Sequence, residues 1–438
     1  MQTSLRRIAE KSALHKEHRF QNLMILITVG FLMCCWRKLN RKSAPGVDRV
    51  TAWQYGENLE GDIAKLVESV KGGWYRAKLI LRRFIPKLGG KLRPPGIPAT
   101  SDKVPQMAVT MILEAISESV FLTCSFGHRP RIGASDAIKE LSFQLQFRGY
   151  NYVAEADIRS FFDNIDHDLL MEMLTEKIDD KPFLRLIRKW LKAGVLEAGN
   201  VINPITGTPQ GGIISPILAN IYLHYVLDEW FEEVVRAHCR GEVYLCGYAD
   251  DFVCLFQYED DARRFYKALG LRLEKFGLSL AEDKTRMIRF GRLHMEDKTW
   301  FEFLGFEFRW GKNRAGKPQV LKRTSKKKFR NSLKRFSEWC KTNRSQRLTE
   351  LFHTLNLKLR GYYNYYGVRG NYDSLSSFFY HAIRILFKWL NRRSQRKSCN
   401  WTGFKELLKH FGIAKPRITE KKRQIQLSLF RQCRRISE

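Results

Sequence analysis

The nine cysteines of this sequence are scattered, with only Cys34 and Cys35 adjacent, and no two of them form a CxxC pair. Without such a pair neither a zinc knuckle nor a disulfide scaffold is indicated, and a reducing cytoplasm suits this cysteine usage. The sequence also lacks long internal repeats and low-complexity tracts. Because 44% of the residues are hydrophobic, the chain can bury a sizeable core, which excludes a disordered tail.

A hydrophobic run long enough to cross a membrane is also missing. The most apolar stretch extends from Leu23 to Trp36 and is interrupted only by Thr28 and Gly30. It is shorter than the roughly 20 residues that a membrane-spanning helix needs, and it shows no signal-peptide cleavage pattern. We interpret it as a buried helix, with a membrane anchor as the alternative.

Acidic residues become scarce in the last quarter of the chain. The full sequence of 438 residues has a formal net charge of +32, and its length suggests about two to four domains. From Leu321 to Glu438 there are 30 Lys and Arg but only 6 Asp and Glu, a net charge of +24, whereas the first 320 residues carry +8. A single lysine run usually marks a solvated face, but so large an excess predicts a polyanionic partner.

Two adjacent acids lie between short apolar runs in the segment Val243–Phe256. Both runs are rich in β-branched and aromatic residues, so the segment is typical of a β-hairpin with Asp250 and Asp251 at its tip. Neighbouring carboxylates repel each other, and burial adds to the cost unless a cation is bound. A pair of divalent metal ions would supply that cation and would also catalyse phosphoryl transfer. The alternative is a polar turn that keeps the hairpin soluble.

A second acidic site follows an apolar strand that begins at Tyr152 and ends at Asp157. A carboxylate at a strand end can meet the tip of a neighbouring hairpin, which brings acids from distant parts of the sequence to one metal centre. Asp163, Asp166 and Asp168 stand at the start of a helical segment, where acids cap the helix or pair locally.

Two glycine-containing segments carry candidate nucleotide contacts. Lys87 and Arg93 flank a Gly-Gly turn between short strands. Such a hairpin could bring both cations to a triphosphate, or it could be an exposed basic turn. Gln210 and Gly211 begin a glycine loop that opens a helix, where the backbone can approach a flat ligand closely.

Cations and aromatic side chains alternate in the last quarter, which the sequence predicts to be helical, including its basic tail (400–438). This combination suits contacts with the grooves and backbone of a nucleic-acid duplex. The candidates for RNA or DNA contact are Lys326, Lys327, Lys328, Arg330, Arg360, Tyr362, Arg392 and Arg393.

In chain order, these segments resemble the seven sequence blocks of bacterial group II intron reverse transcriptases. The matching motifs are Ile85-Pro-Lys87, Ser125-Phe-Gly-His-Arg-Pro130, Asp157 with Phe162-Asp-Asn-Ile165, Pro209-Gln-Gly211 with Ser215-Pro216, Tyr248-Ala-Asp-Asp251, Lys284-Thr285 and Phe303-Leu-Gly305. Ser43-Ala-Pro-Gly-Val-Asp48 resembles the additional N-terminal block of that family, and Leu355 to Tyr366 resembles its maturase, or thumb, region. Each block is weakly specific alone, but eight in the right order over residues 8–415 are highly specific.

The resemblance implies an α+β right-hand polymerase fold, with fingers, a palm built on an antiparallel sheet, and a helical thumb. The expected domains are an N-terminal extension with fingers (1–110), a palm with finger insertions (111–320), a helical thumb or maturase domain (321–398), and a basic C-terminal segment that could bind DNA (399–438). No HNH endonuclease motif follows the thumb region, so we do not expect this chain to cleave a target strand.

The resemblance also implies a palm site with two Mg²⁺ ions, which Mn²⁺ can replace. It assigns catalysis to Asp157, Asp250 and Asp251, and metal binding to the same residues together with Ile158. Phe162 would contact the sugar and leave no room for a 2′-hydroxyl, whereas Lys284 would lie near the phosphates. The implied nucleotide site consists of Lys87, Arg93, Phe162, Gln210, Gly211 and Lys284.

The function implied by the resemblance is RNA-directed DNA synthesis by a group II intron protein that also promotes splicing and target-primed retrohoming. Its partners would be dNTPs, an RNA template with a DNA primer, structured intron RNA and target DNA, and no membrane is expected. Two alternatives stay open. One is a splicing maturase without polymerase activity, and the other is a related reverse transcriptase that works outside an intron, in phage defence or DNA repair.

Overall fold

The structure is a computed structural model that describes residues 2–86, 92–197, 200–202, 206–208, 211–393 and 399–420. Its internal contacts divide the chain into two units. The first unit consists of Met1–Leu304 and Trp310–Val320, and the second consists of Gly305–Arg309 and Leu321–Glu438. Strands Phe306–Lys312 and Pro318–Thr324 therefore contribute residues to both units.

A four-stranded antiparallel sheet lies at the centre of the first unit. In spatial order its strands are Arg286–Arg289, Tyr152–Asp157, Asp251–Phe256 and Val243–Tyr248. The last two strands form the β-hairpin that the sequence predicted, and we call this segment the acidic hairpin. The two middle strands are buried along most of their length, because helix Glu259–Glu274 packs against both of them.

The remaining elements of the first unit are mostly helical. The helices are Gln2–Leu14, Val29–Lys38, Ala52–Glu57, Leu59–Lys71, Thr100–Ser117, Ala134–Phe147, Phe161–Asn164, His167–Thr175, Lys181–Leu191, Ser215–Leu223, Arg236–His238 and Glu259–Glu274. Two π-helical turns, His224–Asp228 and Phe231–Val235, follow helix Ser215–Leu223, and three 3₁₀ turns are Leu23–Leu26, Glu282–Lys284 and Arg292–Asp297. Asp166 caps helix His167–Thr175 by accepting hydrogen bonds from two backbone amides, as the sequence predicted.

Smaller strands complete the first unit. One sheet contains, in spatial order, Gly96–Ile97, Ile80–Arg82, Val195–Glu197 and Asn200–Ile202, and a separate pair consists of Ile85–Pro86 and Leu92–Arg93. Strand Trp300–Phe303 lies against the middle strands of the central sheet.

The apolar stretch Leu23–Trp36 does not form one helix, which corrects the sequence prediction. Leu23–Leu26 is a 3₁₀ turn, and a separate helix covers Val29–Lys38. Thr28 separates them because its backbone is extended and its side chain accepts a hydrogen bond from the Phe31 amide, as an N-cap does. Within the part of the chain that the structure describes, no helix is both long and apolar enough to cross a membrane.

Besides its strand residues, the described part of the second unit contains four helices. They are Lys326–Asn343, Leu348–Tyr366, Tyr372–Leu390 and Trp401–His410. Buried leucines and aromatic side chains from all four, among them Phe336, Leu359, Leu386 and Phe404, make its core.

The last described segment of the second unit has no regular secondary structure, whereas the sequence predicted helix throughout the tail. Helix Trp401–His410 is followed by Gly412 in the left-handed region (φ 55°) and by Pro416, both of which end helices. Residues 411–420 instead run along helix Leu348–Tyr366, where Ala414 N donates to Asn356 Oδ1 at 2.7 Å. Residues 421–438 lie outside the described part of the chain.

Candidate active site

Three carboxylates meet at one end of the central sheet. Asp157 is the last residue of its strand and pairs in register with Asp251, the first residue of the neighbouring strand. Cross-strand partners in an antiparallel sheet have Cα atoms about 4.5–5.5 Å apart and point to the same face. Asp250 occupies the turn of the acidic hairpin, directly before Asp251. The fold thus brings together acids that are more than ninety residues apart in the sequence.

The two hairpin carboxylates are partly buried, which makes their ionised forms unfavourable. Burial, with repulsion from Asp157, raises the pKa of Asp250. Burial, with repulsion from Asp157, Asp250 and Glu155, raises the pKa of Asp251 to about 7. A bound cation relieves both effects, so this arrangement favours metal binding.

The third carboxylate already has a cationic partner. The ammonium group of Lys284 donates a hydrogen bond to Asp157 Oδ2. Burial opposes the charge of this lysine, but the hydrogen bond to Asp157 and the nearby carboxylates raise its pKa overall. The lysine is held there by backbone pairing, because Ala281 N donates to Asp157 O at 2.8 Å at the start of its 3₁₀ turn.

The donor atoms at this site fit magnesium in their chemistry. Carboxylate and carbonyl oxygens are the ligands that Mg²⁺ prefers, and the site offers three carboxylates. Ile158 follows Asp157 but its apolar side chain is buried, so only its backbone carbonyl could serve as a ligand. Among the described residues, no three acidic, histidine or cysteine side chains are already arranged as a ligand set. Here the Lys284 ammonium donates to Asp157 Oδ2, so a metal bound to that oxygen would share it with the lysine.

The candidate sugar contact follows Asp157 by five residues in the sequence. Phe162 is half-buried in the short helix Phe161–Asn164, and its ring packs edge-on against Phe161 with 5.5 Å between ring centroids. The backbone oxygen of Phe162 accepts a hydrogen bond from Thr208 N at 2.7 Å. The start of the glycine loop is therefore tied to the residue predicted to contact the sugar.

The other predicted nucleotide contacts are only partly described. Gly211 has a φ of +129°, and a Cβ atom built on it would lie 2.6 Å from the carbonyl oxygen of Gly96, so a close approach of two backbones requires glycine here. Lys87 and Gln210 lie outside the described residues, and for Arg93 only the backbone, in strand Leu92–Arg93, is described.

One charged group beside the acids was missed by the sequence reasoning. Glu155 lies two residues before Asp157 on the same strand face, and its carboxylate accepts hydrogen bonds from the Arg286 guanidinium and from Glu302 N, the latter at 2.7 Å. The Arg286 guanidinium also lies over the Trp300 ring, 4.9 Å from its centroid. Two acids spaced two residues apart in a predicted strand were the available signal.

Most of the predicted nucleic-acid contacts in the second unit are exposed cations. Lys326, Lys327, Lys328 and Arg330 begin helix Lys326–Asn343, and Arg360 and Arg392 are likewise exposed. Arg393 is half-buried and donates a hydrogen bond to the backbone oxygen of Gln346.

Tyr362 differs from the other predicted contacts because it packs inside the second unit. Its ring stacks on Phe378 with 3.7 Å between centroids, and its hydroxyl is buried. Burial raises its pKa accordingly. The structure therefore gives Tyr362 a packing role, while the neighbouring Tyr365 is 43% exposed.

Comparison with known proteins matches both units to described families. Residues 85–308 match the model for reverse transcriptase (RNA-dependent DNA polymerase), and residues 326–407 match the group II intron maturase-specific domain. Protein YkfC of Escherichia coli (strain K12) is 33% identical over 362 residues, which cover 74% of this chain and 93% of that protein. The group II intron-encoded protein LtrA of Lactococcus lactis subsp. cremoris is 31% identical over 405 residues, covering 73% of this chain and 66% of LtrA.

The reverse transcriptase match covers half of the chain and includes the whole acidic site, so the class of this protein is that of the reverse transcriptases. Within that class, the chain belongs to the group II intron reverse transcriptase and maturase family, because its second unit carries the maturase-specific domain and 73% of the chain aligns with LtrA. The family and the right-hand polymerase fold expected from the sequence are thereby confirmed.

Proposed function

We propose that this chain is an RNA-directed DNA polymerase that also binds structured intron RNA, promotes its splicing and takes part in target-primed retrohoming. The observation that supports polymerisation most directly is the pairing of Asp157 with Asp251 beside Asp250. Its substrates would be dNTPs and a DNA primer on an RNA template, and target DNA would supply that primer during retrohoming. A bacterial cytoplasm fits cysteine usage without a CxxC pair.

The proposed mechanism assigns a separate task to each side chain. Two Mg²⁺ ions, or Mn²⁺ in their place, would lower the pKa of the primer 3′-hydroxyl and neutralise the charge that develops on the transferred phosphoryl group. Asp157, Asp250 and Asp251 would hold these ions on rigid strand ends. Lys284, which stays protonated beside them, would contact the phosphates and could donate a proton to the leaving pyrophosphate. Phe162 would exclude ribonucleotides.

Primer extension on an RNA template tests the polymerase proposal. Wild-type protein should incorporate deoxynucleotides, and Asp250→Ala should reduce the rate by more than about 1,000-fold because a metal ligand is lost. Asp260→Ala is the matched control, since Asp260 is an exposed acid on the next helix. Equal incorporation by wild type and Asp250→Ala would show that the acidic hairpin is not a polymerase site.

The splicing role rests on a separate observation, which is the maturase-specific match together with the exposed cations of the second unit. Splicing of a cognate intron by the Asp250→Ala protein measures this role independently of DNA synthesis. A wild-type protein that splices but never polymerises would favour a maturase without polymerase activity. A flanking DNA sequence without a folded intron would favour a reverse transcriptase that works in defence or repair.

A further inference from the structure

The tip of the acidic hairpin has an unusual backbone conformation. Ala249 has a φ of 55°, in the left-handed region that alanine rarely adopts. It stands between Tyr248 and Asp250, so its backbone angles set the direction in which the chain presents Asp250 and Asp251. A non-glycine residue persists in this region only where its surroundings hold it.

A neighbouring loop, Cys124–Arg129, runs beside the hairpin, and we call it the support loop. Gly247 N donates to Cys124 O at 2.8 Å, and Phe126 N donates to Gly247 O at 2.9 Å. The support loop is thus bonded to the hairpin strand just before its tip.

Gly127 brings the support loop into direct contact with the tip itself. A Cβ atom built on Gly127 would lie 2.4 Å from Ala249 N and 2.9 Å from the carbonyl carbon of Tyr248. Both of these are backbone atoms, which cannot move aside as the end of a side chain can. Only glycine therefore allows the support loop to lie this close to the left-handed residue.

The support loop is anchored from two other elements of the same unit. Asn220, which is buried on helix Ser215–Leu223, donates from Nδ2 to Gly127 O at 2.7 Å. The Arg129 guanidinium donates to the backbone oxygens of Leu122 and Ser125 at 2.7 and 2.8 Å and forms an ion pair with Glu118. These bonds fix the loop independently of the acidic hairpin, so the loop can impose a conformation on the tip.

We propose that the support loop is a template that holds Ala249 in its left-handed conformation and thereby aims the hairpin carboxylates, with Gly127 and Asn220 as positioning residues. Neither residue touches a reacting atom; both act through the backbone of the tip. The proposal deepens the proposed function and rests on it for its catalytic readout.

Gly127→Ala tests the template, with Gly133→Ala as the matched control. Gly133 lies in the same connecting segment, has an extended backbone (φ −158°), and has no atom within 4 Å of an added Cβ. We expect Gly127→Ala to lower kcat by about 100-fold or more with little change in the KM for dNTP, because the misplaced carboxylates affect the chemical step. The control should match wild type in both constants.

Metal binding supplies a readout that does not depend on polymerisation. Calorimetric titration of the protein with Mn²⁺ alone, without substrate, should show binding at least about tenfold weaker for Gly127→Ala than for Gly133→Ala, since the ligand geometry is lost. If wild type binds Mn²⁺ but makes no DNA, the polymerase proposal fails while this comparison still tests the template. Equal Mn²⁺ affinity of the two alanine variants would overturn the template.

Asn220→Ala provides a second route if Gly127→Ala does not fold. It removes one hydrogen bond from the support loop without adding atoms, so kcat should fall by about tenfold. Adding Ala249→Gly should recover most of this loss, because glycine adopts a positive φ without help from the loop. If the support loop contributed only general packing, Ala249→Gly would not restore kcat. A double variant with a kcat as low as that of Asn220→Ala would therefore contradict the proposal.

Discussion

The two units of this protein use charge in opposite ways. In the first unit a few carboxylates are gathered at one sheet end and partly buried, and burial with mutual repulsion raises the pKa of Asp251 to about 7. In the second unit many cations are spread over exposed helix surfaces, as at Lys326, Lys327 and Arg330. The first arrangement is unfavourable until a cation binds, whereas the second gains binding energy by releasing counterions from a polyanion.

This difference predicts how each unit responds to substitution. Each carboxylate of the acidic site would hold a metal ion at one position, so a single substitution there should abolish DNA synthesis. Charges on the basic helices contribute similar small amounts, so changes there should add up gradually. Synthesis and RNA binding should therefore be separable.

The largest expected effect comes from Asp157→Asn. The amide keeps the size of the side chain but removes the negative charge that a metal and Lys284 share, so kcat should fall by more than about 1,000-fold. RNA affinity, measured by filter binding at fixed salt, should change by less than about twofold because the exposed cations of the second unit are unaltered.

Asp260→Asn is the control for charge removal alone, since this exposed acid forms only a surface ion pair with Arg240. If Asp157→Asn lost RNA affinity together with DNA synthesis, the two activities would not be separable between the two units.

An intermediate effect is expected from the triple variant Lys326→Ala, Lys327→Ala and Arg330→Ala. If each cation contacts a phosphate, RNA affinity near 0.1 M salt should weaken by about 10- to 100-fold, and the slope of log K against log salt should flatten by roughly 2 to 3. Filter binding across a salt series measures both quantities.

Lys267→Ala, an exposed cation on helix Glu259–Glu274 of the first unit, is the comparison for the triple variant. An unchanged salt slope in the triple variant would mean that this end of helix Lys326–Asn343 does not bind RNA.

The convergence of the acids was predictable because each step is local. An alternating apolar pattern indicates the hairpin, and a strand that ends at Asp157 can pair only with few neighbours. Register and burial were not predictable from single segments. The packing of Tyr362 on Phe378 depends on how two helices meet, and a run of tyrosines and arginines looks the same whether its rings face solvent or core.

The contacts around the hairpin tip were even less accessible to sequence reasoning. The interaction of Gly127 with Ala249 joins residues more than one hundred positions apart through backbone atoms, which leave no pattern of residue types. The break in the apolar stretch Leu23–Trp36 had a signal in the sequence, because threonine at position 28 is a common N-cap. The apolar residues on both sides of Thr28 nevertheless favoured the prediction of one continuous helix.

The smallest effect tests whether buried negative charge is unfavourable outside the acidic site as well. Asp228 is buried, and burial raises its pKa to about 7 although His224 and Arg129 act in the opposite direction. Because the folded state holds this proton more tightly than the unfolded state does, the free energy of unfolding should fall as the pH rises from about 4 to about 7 and then level off.

Asp228→Asn removes this titration, so the variant should lose less stability than wild type between pH 5 and pH 8. The difference should be about 2 to 4 kcal/mol, since one pKa unit corresponds to about 1.4 kcal/mol. Urea unfolding at the two pH values measures it, and Asp260→Asn should keep the wild-type dependence because that acid is exposed. If Asp228→Asn and wild type showed the same pH dependence, ionisation of Asp228 would not destabilise the folded state. The unfavourable effect of burying acids would then be limited to the carboxylates that meet at Asp157.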